Sequence, residues 1–270
     1  KAIKADSPMS WNRLVPRPLE GFILAISPFN FTSIGGNLAS APVLCGNVVV
    51  WKPSSAACLS NYLLFECLEE SGVPKGVIQF LPGKPEDTVG EAIKSEWLAG
   101  IHFTGSTAVF KSIWQQVAHN LDSYKQFPRL AGETGGKNFH VAHYSADPVN
   151  LVMNTIRSAF EYQGQKCSAC SRLYLPRSMW RGDDDTGGVK KMMVEAVKKI
   201  TIAKNNEELL SSFMGPVINE ENDKKVQEYT KKGKLVIGGE PVKNASGWSI
   251  TPAIVECTKP DNILMTEELF

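Results

Sequence analysis

VVVWKPSSAACLSNYLLFECLEESGVPKGVIQFL, residues 48–81, consists of an apolar run, a helical pattern and a second apolar run. Val48-Val49-Val50-Trp51 reads as a buried strand ending at Lys52-Pro53. Ser54 or Ser55 can cap a helix reaching about residue 71, with Gly72 as its C-terminal stop. Val77-Ile78-Gln79-Phe80-Leu81 reads as the next strand. The same rhythm extends outward. Phe22-Ile23-Leu24-Ala25-Ile26 is a strand upstream, and Gly100-Ile101-His102-Phe103-Thr104 is one downstream, followed by Gly105-Ser106 and a helix through Val117. Strand, helix, strand at this spacing predicts parallel βαβ units in an open α/β sheet of Rossmann type. Ligands of such sheets bind outside the carboxyl ends of the strands, where Lys52, Ser54, Gly105 and Ser106 fall.

The second half continues in the same style. Asn138-Phe139-His140-Val141, Leu173-Tyr174-Leu175 and the run from Leu235 to Gly239 read as strands, and residues 148–162 read as a helix. Val189, Met192, Met193, Ala196, Val197 and Ile200 recur at helical spacing, and the Met pair reads as core filling. Residues 181–188, with Asp183-Asp184-Asp185, read as a solvated loop without the spacing of a Ca²⁺ site.

Composition excludes several classes. The 270 residues are 43% hydrophobic and 21% charged, as in a globular chain of one large or two ordinary domains. A net charge of +1 gives no electrostatic pull toward nucleic acid or an acidic membrane surface. No apolar stretch reaches the roughly 18 residues of a membrane span, and no signal-peptide core follows Lys1. The six cysteines are irregularly spaced, which predicts reduced thiols in an intracellular or organellar compartment.

Cys167 lies in Gly-Gln-Lys-Cys-Ser-Ala-Cys-Ser-Arg, and Glu133 lies in Gly-Glu-Thr-Gly-Gly-Lys-Asn, which reads as running directly into a strand. A lone cysteine is usually a small buried hydrophobe, but Gly164 permits close backbone approach, and Lys166 and Arg172 favour a thiolate. A thiolate can attack a carbonyl carbon, and a carboxylate can later activate water. Cys167 and Cys170 form a C-x-x-C, yet zinc needs a second pair or spaced histidines, and only His140 and His143 are near in sequence, so no metal site is expected. Asn30, in Ser-Pro-Phe-Asn-Phe, is either a turn residue or a donor to an oxyanion. Lys52 and Ser54 are either a charged loop with a helix cap or a cofactor contact. The Phe103-Thr104-Gly105-Ser106 turn could present helix N–H groups to a pyrophosphate, although no G-x-G-x-x-G is present.

Together these stretches resemble the aldehyde dehydrogenase family. The resemblance implies Cys167 as nucleophile, Glu133 as general base and Asn30 as oxyanion donor, converging on one cleft. It implies Ser27, Lys52, Ser54, Gly105, Ser106, Glu268 and Phe270 as contacts of NAD, with NADP left open because Ser54 stands where many NAD-preferring members have Glu. Phe31 would line the substrate pocket. Thr134 replaces the family's Leu after the catalytic Glu, and the chain stops at Glu267-Glu268-Leu269-Phe270, before the Gly-Pro that completes the family motif. With the missing initiator Met, this reads as an internal fragment: residues 1–132 part of a cofactor-binding domain, residues 133–270 part of a catalytic domain.

The segments 28–37, 127–140 and 158–172 are similar to the branch of the family that oxidises glutamate γ-semialdehyde to glutamate in proline catabolism. That likeness implies Ser168 as a contact of the substrate α-carboxylate. It also implies a mitochondrial matrix location, homo-oligomerisation of the full-length protein, a small-molecule substrate, and neither nucleic acid nor membrane as partner. An aldehyde dehydrogenase for another aldehyde and an inactive fragment with an assembly role remain as alternatives.

Overall fold

In the computed structural model, Met9 and residues 15–182 and 187–270 are described. Two compact units divide the chain, Lys1–Thr134 and Gly135–Phe270.

The first unit contains β1 (Phe22–Ile26), α1 (Thr32–Leu44), β2 (Val48–Lys52), α2 (Cys58–Glu70), β3 (Ile78–Phe80), α3 (Pro85–Lys94), β4 (Leu98–Gly105), α4 (Thr107–His119) and β5 (Arg129–Thr134). The five strands form one sheet in the order β3-β2-β1-β4-β5, and every pairing is parallel. The order reverses beside β1, as in a doubly wound sheet, and the open parallel α/β sheet expected from residues 48–81 is present.

Alternation along the central strands builds two cores, because successive side chains of a strand point to opposite faces. Leu24 and Ile26 join Ile101 and Phe103 under α3 and α4, with Ile93, Ile113 and Val117. Ile23 and Ala25 join Val49, Trp51 and Ile78 under α1 and α2, with Leu38 and Ala39. Leu24 is fully buried and Ile101 nearly so. Each such side chain contributes about 1.5–3 kcal/mol relative to exposure.

Helix α1 is hard to see in sequence, since it contains Gly35, Gly36 and Pro42. The glycines are there for close packing. A Cβ on Gly35 would lie 2.1 Å from Asn61 Oδ1 and 3.0 Å from the Trp51 ring, and one on Gly36 would lie 2.6 Å from Leu64. Asn61 is fully buried and donates Nδ2 to Ala57 O. Gly35→Ala is therefore expected to overpack this contact at a cost of about 1–3 kcal/mol, read as a lower thermal midpoint with unchanged far-UV circular dichroism.

Two local expectations change. Neither Ser54 nor Ser55 caps a helix with its side chain: a short turn, Ser55–Ala57, intervenes, and α2 begins at Cys58. The segment around Glu133 does run into a strand, at Phe139–Val141, but its first part is itself a strand, Arg129–Thr134. β5 pairs with β4 through Thr104↔Glu133 and Gly105↔Thr134, so Glu133 belongs to the first unit, whereas the sequence boundary placed it in the second.

The second unit contains β6 (Phe139–Val141), α5 (Pro148–Phe160), β7 (Arg172–Tyr174), α6 (Arg177–Arg181), α7 (Gly188–Lys198), α8 (Glu220–Tyr229), β8 (Lys234–Ile237), β9 (Ile254–Glu256) and α9 (Ile263–Thr266). β6 and β7 pair in parallel around α5, and β8 and β9 pair antiparallel. Its core joins Val152 and Ile156 of α5 to Val189, Met193 and Val197 of α7, with Met192 packed against them. The Asp183-Asp184-Asp185 run lies outside the described residues.

Candidate active site

The carboxyl edge of the first sheet collects most of the expected positions. Ile26 is level with Lys52 and with Phe103, and Thr104 is level with Glu133. Ser27, Lys52, Gly105 and Glu133 therefore lie at or within one residue of the ends of four neighbouring strands on one side. Ser106 caps α4, its Oγ accepting from Val109 N at 3.3 Å. No acidic residue occupies the first turn of α4. That helix N-terminus suits an anion, since its first N–H groups lack helical partners. Gly105 keeps the turn tight, because a Cβ there would lie 2.7 Å from the Phe103 ring.

Lys52 is 6% exposed, and burial pushes its ammonium pKa down, with Glu86 opposing the shift through space. A buried ammonium at the end of a strand needs polar partners, which ribose hydroxyls or phosphate can supply. Ser54 follows at the half-buried start of the next turn. Ser27 has a role that its sequence did not reveal. Its hydroxyl accepts from Trp51 Nε1 at 3.0 Å in the core, and its N–H donates to Lys52 O. Its side chain thus fixes the edge from inside. Asn30 is 7% exposed and sits two residues before α1, and Phe31, half-buried, is the residue from which that helix departs.

In the second unit, Cys167 is half-buried and Ser168 exposed. Asn138 holds their loop: its Nδ2 donates to Cys167 O and to Ala169 O, while its own carbonyl accepts from Ser171 N and Arg172 N. Lys166 pairs with Glu161 at 2.6 Å, and Arg157 adds a second contact to that carboxylate. The Lys166 contact lowers the Glu161 pKa. Cys170 differs from Cys167. It is 7% exposed, its Sγ donates to Arg172 O, and burial pushes its thiol pKa up.

Glu268 reaches the glycine pair that follows β5. Its Oε1 accepts from Gly136 N at 3.3 Å, and a Cβ on Gly135 would lie 1.9 Å from its Oε2. Lys225 Nζ donates to the Glu268 carbonyl at 3.0 Å. Arg172, which sequence suggested only as a nearby charge, links this region. It donates to Lys137 O and Met265 O, and its guanidinium packs over Phe139 and Tyr174. Burial first, and Arg172 second, lower the Lys137 pKa. Phe270 is half-buried at the end of this segment. Glu133, Asn30, Phe31 and the cofactor-edge residues thus belong to the first unit, and Cys167, Ser168, Glu268 and Phe270 to the second. Among the described residues, no three His, Cys, Asp or Glu side chains group as metal ligands, and no helix is long and apolar enough to cross a membrane.

A doubly wound sheet with an anion-suited turn at its carboxyl edge, in one chain with a cysteine loop, defines an α/β protein of the dinucleotide-binding type. Residues 1–270 match the profile of the aldehyde dehydrogenase family, and the chain belongs to that family. It is 48% identical over 270 residues to Δ1-pyrroline-5-carboxylate dehydrogenase of Agaricus bisporus, covering 98% of this chain and 48% of that protein. It is 45% identical over 268 residues to the mitochondrial Δ1-pyrroline-5-carboxylate dehydrogenase of Homo sapiens, covering 97% and 46%. The structure of the Mycobacterium tuberculosis Δ1-pyrroline-5-carboxylate dehydrogenase bound with NAD superposes with a TM-score of 0.85 at 39% identity, covering 96% of this chain and 48% of that one. The chain spans about half the length of the relatives that it matches.

Proposed function

We propose that the chain is part of a glutamate γ-semialdehyde dehydrogenase, the activity named in its relatives as Δ1-pyrroline-5-carboxylate dehydrogenase. One observation carries the reading: the half-exposed thiol of Cys167 stands on a loop held by Asn138, next to an exposed Ser168, while the only other cysteine of that loop is buried. The mechanism follows from those groups. The Cys167 thiolate attacks the aldehyde carbon, and the electron pair of the C=O bond moves to oxygen, giving a thiohemiacetal. Asn30 Nδ2 and the Cys167 N–H donate to that oxyanion. NAD, held at the carboxyl edge of the first sheet, would supply the hydride acceptor for the former aldehyde carbon, so that Cys167 would be left carrying a thioester. Glu133 takes a proton from water, the resulting hydroxide displaces the thiolate, and glutamate leaves.

These steps require Asn30, Glu133 and Cys167 to converge on one cleft in the working protein. Lys52 and Ser54 would hold the adenosine ribose, Gly105 and Ser106 the pyrophosphate, and Glu268 and Phe270 the nicotinamide ribose. The buried ammonium of Lys52 and the uncharged first turn of α4 fit an anionic dinucleotide. NAD is the proposed cofactor, with NADP the comparison in any assay. Several relatives are named as mitochondrial, and we place the full-length protein in the mitochondrial matrix as a homo-oligomer.

The test uses the full-length protein with two substrates, glutamate γ-semialdehyde and a simple aliphatic aldehyde. Ser168→Ala removes one hydrogen bond to a charged carboxylate, worth about 1.5–3 kcal/mol, so kcat/KM for the semialdehyde should fall roughly 10–150-fold. The aliphatic aldehyde, which has no carboxylate, should lose less than threefold. Equal losses for both substrates would remove Ser168 from carboxylate recognition. An unmodified protein that prefers the aliphatic aldehyde would point instead to another member of the family.

A further inference from the structure

The chain turns left-handed just before the thiol. Tyr162 has φ 57°, Gln163 φ 58° and Gly164 φ 69°. Only glycine adopts this region without steric cost, so two of the three residues are strained. The third position must stay glycine for another reason as well: a Cβ there would lie 2.7 Å from Ala159 O. Strained backbone persists only where its surroundings over-determine it.

Two side chains supply that restraint. Gln163 Nε2 donates to Pro216 O at 2.8 Å. Gln165 Oε1 accepts from Ile218 N at 2.9 Å, and Gln165 is 4% exposed. Alternate glutamines therefore meet alternate residues of a segment more than 50 positions away. The Lys166–Glu161 pair also spans the turn, but the Glu161 side chain is 39% exposed, and ion pairs so open to water hold geometry weakly.

We propose that Gln163 and Gln165 are positioning residues: they fasten the strained turn to residues 216–218 and thereby fix the direction of the Cys167 thiol and peptide N–H. The inference rests on Cys167 being the nucleophile. It adds a brace to one side of the loop whose other side Asn138 holds.

The experiment has a structural and a kinetic arm. Gln165→Met keeps the volume and removes the acceptor; Gln163→Met removes the donor; Gln163→Asn keeps an amide and favours left-handed backbone but is too short to reach Pro216. In this chain, amide hydrogen exchange over residues 161–168 should accelerate at least tenfold in all three variants, while α5 keeps its protection. In the full-length protein, kcat should fall at least tenfold, with KM for the nucleotide unchanged within twofold. Exchange unchanged in the variants, a full kcat, or a Gln163→Asn variant indistinguishable from the parent would each overturn the brace. Should Gln165→Met fail to fold, the two Gln163 variants decide by the same readouts. If Cys167→Ala retained activity, the catalytic reading would fail, while the exchange arm would still decide whether the turn is braced.

Discussion

Cys167→Ala in the full-length protein is expected to abolish aldehyde oxidation, with a loss on the order of 10⁴-fold or more in kcat, as for removal of a covalent nucleophile. No neighbouring group can substitute. Cys170 is the nearest thiol in sequence, but it is 7% exposed, its Sγ is engaged with Arg172 O, and burial pushes its pKa up, so it is both less ionised and less accessible. Ser168 is exposed, but an alcohol without an adjacent base is a poor nucleophile. Nucleotide affinity should be unchanged within twofold, because the substitution leaves every proposed nucleotide contact, Lys52, Ser54, Gly105, Ser106, Glu268 and Phe270, in place. The check is paired: steady-state production of reduced nucleotide, and a direct binding isotherm. Activity surviving the substitution would exclude the thioester route.

Which parts of this site were legible in sequence follows from what each part depends on. β1, β2 and β4 are buried runs whose side chains alternate between two cores, so their pattern survives in the sequence. α1 is obscured by Gly35, Gly36 and Pro42, whose identities answer to Asn61 and Leu64 on another helix rather than to helix propensity. β5 is obscured because it lies at the sheet edge and carries Gly132 and Glu133; a Cβ on Gly132 would lie 2.3 Å from the Phe110 ring. α8 buries no residue and is held by an Asn219 cap and exposed ion pairs, so it has no apolar period to read.

The candidate residues divide in the same way. Cys167, Glu133 and Lys52 were legible because reactive residue types stand beside glycines or strand ends. Ser27, read as a cofactor contact, also accepts from Trp51 Nε1, a role that its sequence did not show. Gln163, Gln165, Asn138 and Arg172 were missed as supports, since their partners lie 29 to 93 positions away and no local pattern announces a left-handed turn at Tyr162.

Glu133→Gln should separate the two halves of the reaction. The substitution keeps the length and shape of a side chain that is exposed on β5, opposite Thr104, so stability should change by less than about 0.5 kcal/mol. Attack by Cys167 does not require the carboxylate, and the first turnover should proceed to the thioester. Hydrolysis does require it, because water is a weak nucleophile until a base removes its proton, and loss of such a base costs roughly 10²–10⁴-fold. Rapid mixing should therefore give a burst of reduced nucleotide close to one equivalent per active site, followed by a slow steady state. Mass analysis of the quenched enzyme should find the acyl group on the Cys167 peptide. If the variant turned over at the parental rate, Glu133 would not be the base. If both burst and steady state vanished, Glu133 would be acting before acylation, on the thiol itself, and the order of proton transfers proposed for this cleft would have to be reversed.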